Sequence, residues 1–60
     1  MNPFMKYYQL ECRDNKGGLH IWRFPFDSEG FRECCSFKSW LAYDPIERAN
    51  GFHAFSIWHN

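Results

Sequence analysis

Three cysteines (Cys12, Cys34, Cys35) and three histidines (His20, His53, His59) are the side chains of this 60-residue chain best suited to chemistry. Together they are the ligand types of a zinc site, which holds Cys or His in pairs about two to four residues apart. Cys34 and Cys35 are adjacent instead, and neighbouring side chains on a helix diverge by ~100°. No pair has ligand spacing, so no metal is expected, and small thiols on a buried helix face are ordinary core. A cysteine or serine nucleophile would need a nearby histidine and an orienting carboxylate, and no local stretch supplies that set. Glu29 and Glu33 lie one helical turn apart, but on a solvated face nothing tunes them into an acid and a base. So short a chain also leaves little room for a pocket of ~300 Å³. No catalytic and no cofactor-binding residue is expected, and the chain reads as non-enzymatic.

The chain length fits one compact domain, which buries only ~60% of the surface its unfolded chain exposes. Large side chains must therefore carry the core, and the composition supplies them: 45% hydrophobic and 22% aromatic, with seven Phe, three Trp and three Tyr. An odd cysteine count argues against a disulfide framework and for a reducing cytoplasm. "MNPFMKYYQL" is too short and polar for a signal peptide, and no run approaches the ~18 apolar residues of a membrane span. Seven basic and seven acidic residues cancel. Direct nucleic-acid binding by phosphate neutralisation is thereby disfavoured. The charge is nevertheless uneven: Lys6 to Arg23 carries an excess of two basic residues and Asp27 to Arg48 an excess of two acidic ones.

The elements that must position these residues follow from periodicity. Lys6 to Arg13 alternates, with Tyr8, Leu10 and Cys12 on one face and Tyr7, Gln9, Glu11 and Arg13 on the other, as a half-buried strand does. "DNKGG" suits a hairpin turn, because Asn15, Gly17 and Gly18 tolerate positive φ. "LHIWRFPF" is the second strand, with His20, Trp22, Phe24 and Phe26 on one face and Leu19, Ile21 and Arg23 on the other. Pro25 confines it to an edge or ends it. Asp27 or Ser28 then caps a helix over about Glu29 to Tyr43. Its apolar residues Phe31, Cys34, Cys35, Phe37, Leu41 and Ala42 span an arc of roughly 160°, and Lys38 snorkels at the border. "DPIERANG" holds a short helical turn, with Asp44 as cap, Pro45 in first position and Gly51 as left-handed stop. In "FHAFSIWH", strict alternation puts Phe52, Ala54, Ser56 and Trp58 opposite His53, Phe55, Ile57 and His59. The order ββαβ predicts an α+β fold: a three-stranded antiparallel sheet, one main helix on one face, and a short helical turn before the last strand.

Two features are left over. Trp40 and Tyr43 project ~60–120° beyond the apolar arc, beside Glu33, Ser36 and Arg32. Either the sheet curls or the short helical turn folds back to cover them, or they are exposed anchors of a protein-binding surface, where Trp, Tyr and Arg are enriched. The sheet likewise has large apolar groups on both faces, and "MNPFM" is too short to cover the second. An open apolar face marks a partner site or a homodimer contact, so the chain is expected as a monomer or a homodimer.

In size and element order the whole chain resembles the small phage-encoded inhibitors of bacterial machinery, anti-CRISPR proteins among them, although no diagnostic motif carries the likeness. The resemblance implies a cytoplasmic inhibitor that occludes a functional surface of a larger bacterial complex, such as a nucleic-acid-processing effector. Partner contact is then expected at Trp40 and Tyr43 as apolar anchors, with Glu29, Glu33, Asp44 and Glu47 as acidic residues facing a basic groove. The alternative is a small single-stranded nucleic-acid module that stacks bases on the sheet aromatics.

Overall fold

The computed structural model describes residues 6–59, so the expectation for "MNPFM" lies outside the described residues. Strands β1 (Tyr7–Arg13) and β2 (Leu19–Pro25) are followed by helix α1 (Ser28–Tyr43), a 3-10 helix (Glu47–Asn50) and strand β3 (His53–His59). The fold is α+β in ββαβ order, as the periodicity predicts. All pairing is antiparallel and the sheet order is β2-β1-β3, so the hairpin partner and the returning strand flank β1 on either side.

The hairpin turn is organised by a residue that its glycines had overshadowed. Asp14 accepts the amides of Lys16 and Gly18 through Oδ1, each at 2.8 Å, while Gly17 takes the left-handed φ of 84° that the turn requires. Only two residues separate β2 from α1. Asp27 caps the helix, accepting the Gly30 amide at 2.6 Å. At the other end Pro45 forces Asp44 into extended backbone (ψ 131°), and the helix stops there. Asp44 then accepts the amides of Ile46 and Glu47 at 2.9 and 3.1 Å, and Gly51 closes the 3-10 helix at φ 67°. The amide of Asn15 donates to the carbonyl of Asn50 at 2.9 Å, which ties the hairpin turn to this connection.

Strict alternation fails in one place. Between the pairs Glu11↔Ser56 and Arg13↔His53, β1 advances through Cys12 alone while β3 spends Ala54 and Phe55. Ala54 is the extra residue of a bulge and sits at φ 56°. The bulge moves Phe52 out of the set with Ser56 and Trp58 and onto the helix side, where its ring meets His20 at 5.2 Å and Trp22 at 6.3 Å. This corrects the expected placement of Phe52 beside Trp58, and relieves the open face of one large ring.

Leu10, Cys12, Cys34 and Leu41 are the fully enclosed core, with Tyr8, Trp22, Phe24, Phe37, Phe52, Phe55 and Ile57 packed partly buried around it. At about 1.5–3 kcal/mol per fully buried large side chain, so few residues cannot hold the fold without that collar of rings. Helix α1 packs on β1 and β2. One residue of its apolar arc, Phe31, is 46% exposed. It stands one turn from the start of α1, and reaches back to Tyr8 with ring centres 5.1 Å apart.

Candidate functional site

The fold assembles a set that no local stretch contains. Hairpin register places Cys12 directly opposite His20, and His20 Nε2 lies 2.8 Å from Asp14 Oδ2. An ionised carboxylate only accepts, so Nε2 carries the proton in this pair. Cysteine, histidine and aspartate therefore converge at one end of the sheet, which sequence reasoning missed because the pairing is set by register.

The environment is wrong for a nucleophile. Cys12 is 1% exposed, and burial, with the Asp14 charge added, pushes its thiol above the ordinary value. A reactive thiol needs the opposite, an accessible sulfur with a lowered pKa. Asp14 is held down at about 2, first by the His20 hydrogen bond and then by the amides of Gly18 and Lys16. His20 stacks on Trp22 at 5.8 Å and meets the edge of Phe52. These three residues lock the hairpin to the start of β3.

The helix-free face of the sheet carries a chain of polar contacts across all three strands. The Trp58 indole donates to Glu11 at 2.7 Å, Gln9 donates to the same carboxylate oxygen at 2.6 Å, and Arg23 Nε donates to Gln9 Oε1 at 3.0 Å. Gln9 is only 4% exposed, so its amide is satisfied on both sides as a buried polar group must be. The Arg23 guanidinium lies 4.8 Å over the ring of Tyr7. Most of the aromatics of β1 and β2 (Tyr8, Trp22, Phe24) pack on the helix side instead.

The residues singled out for partner contact divide into two groups. Tyr43 is 77% exposed and Trp40 is 47% exposed, its ring leaning on Phe37 at 5.5 Å. Ile46, which sequence reasoning passed over inside the turn, is 79% exposed and extends the same stripe. The turn does not fold back over them. Glu29 and Glu33 point to solvent, whereas Asp44 is engaged by the amides after α1 and Glu47 accepts from the Asn50 side chain at 3.1 Å. Arg32 and Lys38 also stand exposed on the helix, so its surface is mixed in charge.

Clefts are larger than the chain length suggested. One of about 490 Å³ opens beside Lys6, Tyr7, Arg23, Phe24, Pro25 and Phe26. A second of about 460 Å³ runs between α1 and β2, walled by Phe24, Phe37 and Trp40, and a third of about 320 Å³ separates α1 from Phe55 and Ile57 of β3. Among the described residues no cluster of three His, Cys, Asp or Glu could hold a metal, and no helix is long and apolar enough to cross a membrane. No protein family, curated protein or solved structure matches this chain.

Proposed function

We propose that this chain is a non-enzymatic binding domain that covers a functional surface of a larger protein complex. The observation that carries the reading is the stripe of Trp40, Tyr43 and Ile46, where two of the three are more than three-quarters exposed. Large apolar groups standing in water at the end of a helix contribute little to the fold, and aromatic anchors of this kind dominate binding energy in protein interfaces. Glu29 and Glu33 are the acidic residues with no side-chain hydrogen bond among the described residues, open to a basic partner, with Asp44 and Glu47 as a rim whose main task is the turn. Occlusion, in the manner of the small phage-encoded inhibitors whose size and element order it resembles, needs no catalytic group. The partner is then a bacterial complex with a basic groove, such as a nucleic-acid-processing effector, met in the cytoplasm.

The alternative reading, base stacking along the sheet, has less support. Of the open-face aromatics, Trp58 is tied to Glu11 and Tyr7 is covered by Arg23. The test is a pull-down from bacterial lysate with the wild-type protein and a Tyr43→Ala/Ile46→Ala double variant. A partner retained by the first and lost by the second, at unchanged melting temperature, supports the reading. Equal retention by both overturns it.

A further inference from the structure

We propose that the outer edge of β3, together with the cleft between it and α1, accepts an extended segment of a partner protein as a fourth, antiparallel strand whose helix-side residues are apolar with an acidic residue among them. The site goes beyond the helix stripe: Tyr43 is common to both, whereas the backbone edge and Lys38 belong to this one alone.

The first support is the backbone of β3. The Asp14 amide donates to the Gly18 carbonyl at 3.0 Å, a pair one step past Arg13↔Leu19 in the hairpin register. Bonded pairs alternate along an antiparallel ladder, so Cys12, Leu10 and Tyr8 spend their peptide groups on β2, and Arg13, Glu11 and Gln9 turn theirs to β3. Ser56 and Trp58, opposite Glu11 and Gln9, therefore bond inward. The Phe55 carbonyl, both groups of Ile57 and the His59 amide are left facing outward in a row, and none of them joins another backbone bond among the described residues. A further strand satisfies such a row, and its main-chain bonds supply affinity.

The second support is that the two edges of the sheet differ. With the order β2-β1-β3, both β2 and β3 are edges. The edge at β2 is guarded by Pro25, which has no N–H to give, and by the charge of Arg23. From His53 to His59, β3 has no Pro, Lys, Arg, Asp or Glu. Its bulge at Ala54 lies ahead of the outward row and leaves it intact.

The third support is the space beside that row. Helix α1 packs on β1 and β2, and the cleft of about 320 Å³ remains between it and β3. Lys38, Ala42 and Tyr43 wall it on one side and Phe55 and Ile57 on the other, with no β1 residue in its described lining, so it opens at the outer edge of β3. A residue paired directly with Ile57 points to the same face as Ile57. Alternate side chains of an added strand thus enter the cleft.

Charge selects the occupant. Lys38 is the one charged residue in the described lining, and it is exposed with no ion pair among the described residues. A carboxylate on the inserted face complements it. A second copy of this chain brings none, because its edge strands β2 and β3 contain no Asp or Glu. Antiparallel pairing of β3 with its own copy would also set both Lys38 side chains on the same side of the joined sheet.

The experiment is an amide-resolved NMR titration of the folded chain with the capped peptide Thr-Val-Thr-Glu-Thr-Val-Thr, which presents Val, Glu and Val on one face. Saturable shifts are expected at Lys38, Phe55 and Ile57, and at saturation hydrogen exchange of the Ile57 amide should slow toward that of Ser56 and Trp58. Methylating the peptide nitrogens of Glu and the second Val, which face β3, should weaken binding by about tenfold or more. Methylating those of the two central Thr, which face away, should not. Lys38→Glu should weaken the peptide by about tenfold, and a peptide with Lys in place of Glu should bind that variant as the original binds wild type. Ile46→Ala, in the stripe but outside the cleft, should leave the titration unchanged. No saturable shift at those residues, equal loss from both methylated peptides, no rescue by the charge exchange, or loss of binding in Ile46→Ala would each overturn the site. A dimer formed without peptide, with the Ile57 amide already protected, would overturn it in favour of a second copy. The stripe does not fall with this site, since its pull-down also turns on Ile46, which the cleft does not use.

Discussion

The Cα of Gly30 lies directly beneath the carbonyl of Pro25, with no room between them for a side chain. A β-carbon built on Gly30 would overlap that oxygen and come within 2.7 Å of the carbonyl carbon. The obstacle is backbone, which cannot swing aside as a flexible side chain can. Glycine costs a helix interior about 1 kcal/mol relative to alanine, and here that cost is what lets α1 sit close to the end of β2. Gly30→Ala should therefore destabilise the domain by about 3 kcal/mol or more, the upper end for overpacking. Urea unfolding measures it, with exposed Ser39→Ala as the control expected near zero.

Exposure ranks three neighbouring truncations on α1. Leu41, 2% exposed, should cost about 2–5 kcal/mol when changed to alanine. A domain of this size has a total stability on the order of 5 kcal/mol, so that variant stands at the edge of folding. Trp40→Ala should lose about 1–2 kcal/mol, since only half of the ring is covered, against Phe37. Tyr43→Ala should melt within a degree or two of wild type. Equal losses at positions 40 and 41 would place Trp40 in the core and remove it from the partner surface.

The Asp14 carboxylate makes stability depend on pH in the acid range. Its folded value of about 2 lies below the ordinary 3.8, so the unfolded chain takes up the proton first as pH falls. The stabilisation is complete above the ordinary value, declines as pH drops through it, and is gone below about 2. Thermal melts of wild type and Asp14→Asn across that window should converge at the acid end and separate above it. Parallel curves would mean that the His20 and amide contacts do not favour the ionised form.

Thiol reactivity should follow burial. Burial first, and then neighbouring Cys35, pushes the Cys34 thiol up, and Cys12 is raised by burial and by Asp14. Cys35 is the least enclosed of the three and lines the cleft against β3. In the native state a thiol-exchange reagent should modify Cys35 alone, and all three after denaturation. Fast native modification of Cys12 would reopen the question of a nucleophile beside His20.

Relief of the left-handed alanine gives a stabilising change. Ala54 at φ 56° bears about 1–2 kcal/mol of backbone cost that glycine avoids, partly offset by the greater freedom of glycine in the unfolded chain. Ala54→Gly should raise the melting temperature by a few degrees, equivalent to about 0.5–1 kcal/mol. Ala54→Val should lower it.

Periodicity and cap chemistry made the element order legible: the alternation of β1 and β2, the Asp27 cap, the Asp44–Pro45 stop and the Gly51 left-handed end all stand where their residue types put them. The 3-10 helix begins two residues beyond the position assigned to Pro45, because Pro45 and Ile46 form the turn under Asp44. Three features were hidden. A bulge centred on alanine has no compositional mark, since glycine is the usual tenant of that conformation, and so Phe52 was assigned to the wrong face. Gly30 carries no mark of its role in the sequence, because that role depends on a carbonyl five residues earlier. The meeting of Cys12, His20 and Asp14, and the relay that holds Arg23, depend on register across strands, which alternation within one strand does not encode. Solvent exposure of Tyr43 was readable from its helical angle, whereas that of Ile46 was not, because its turn had no assigned face.

The bulge in β3 also sets how the chain can change length. Position 54 reads as part of a strand, where loss of one residue would ordinarily slip the register by one and be ruinous. Here the strand already contains a surplus residue, so deleting Ala54 keeps Ser56, Ile57 and Trp58 opposite their partners on β1. The residues before it keep their places too: His53 already pairs with Arg13 across the bulge, so it stays on the open face and Phe52 stays toward Trp22. A single codon thus separates a bulged strand from a regular one that carries the same residues on each face.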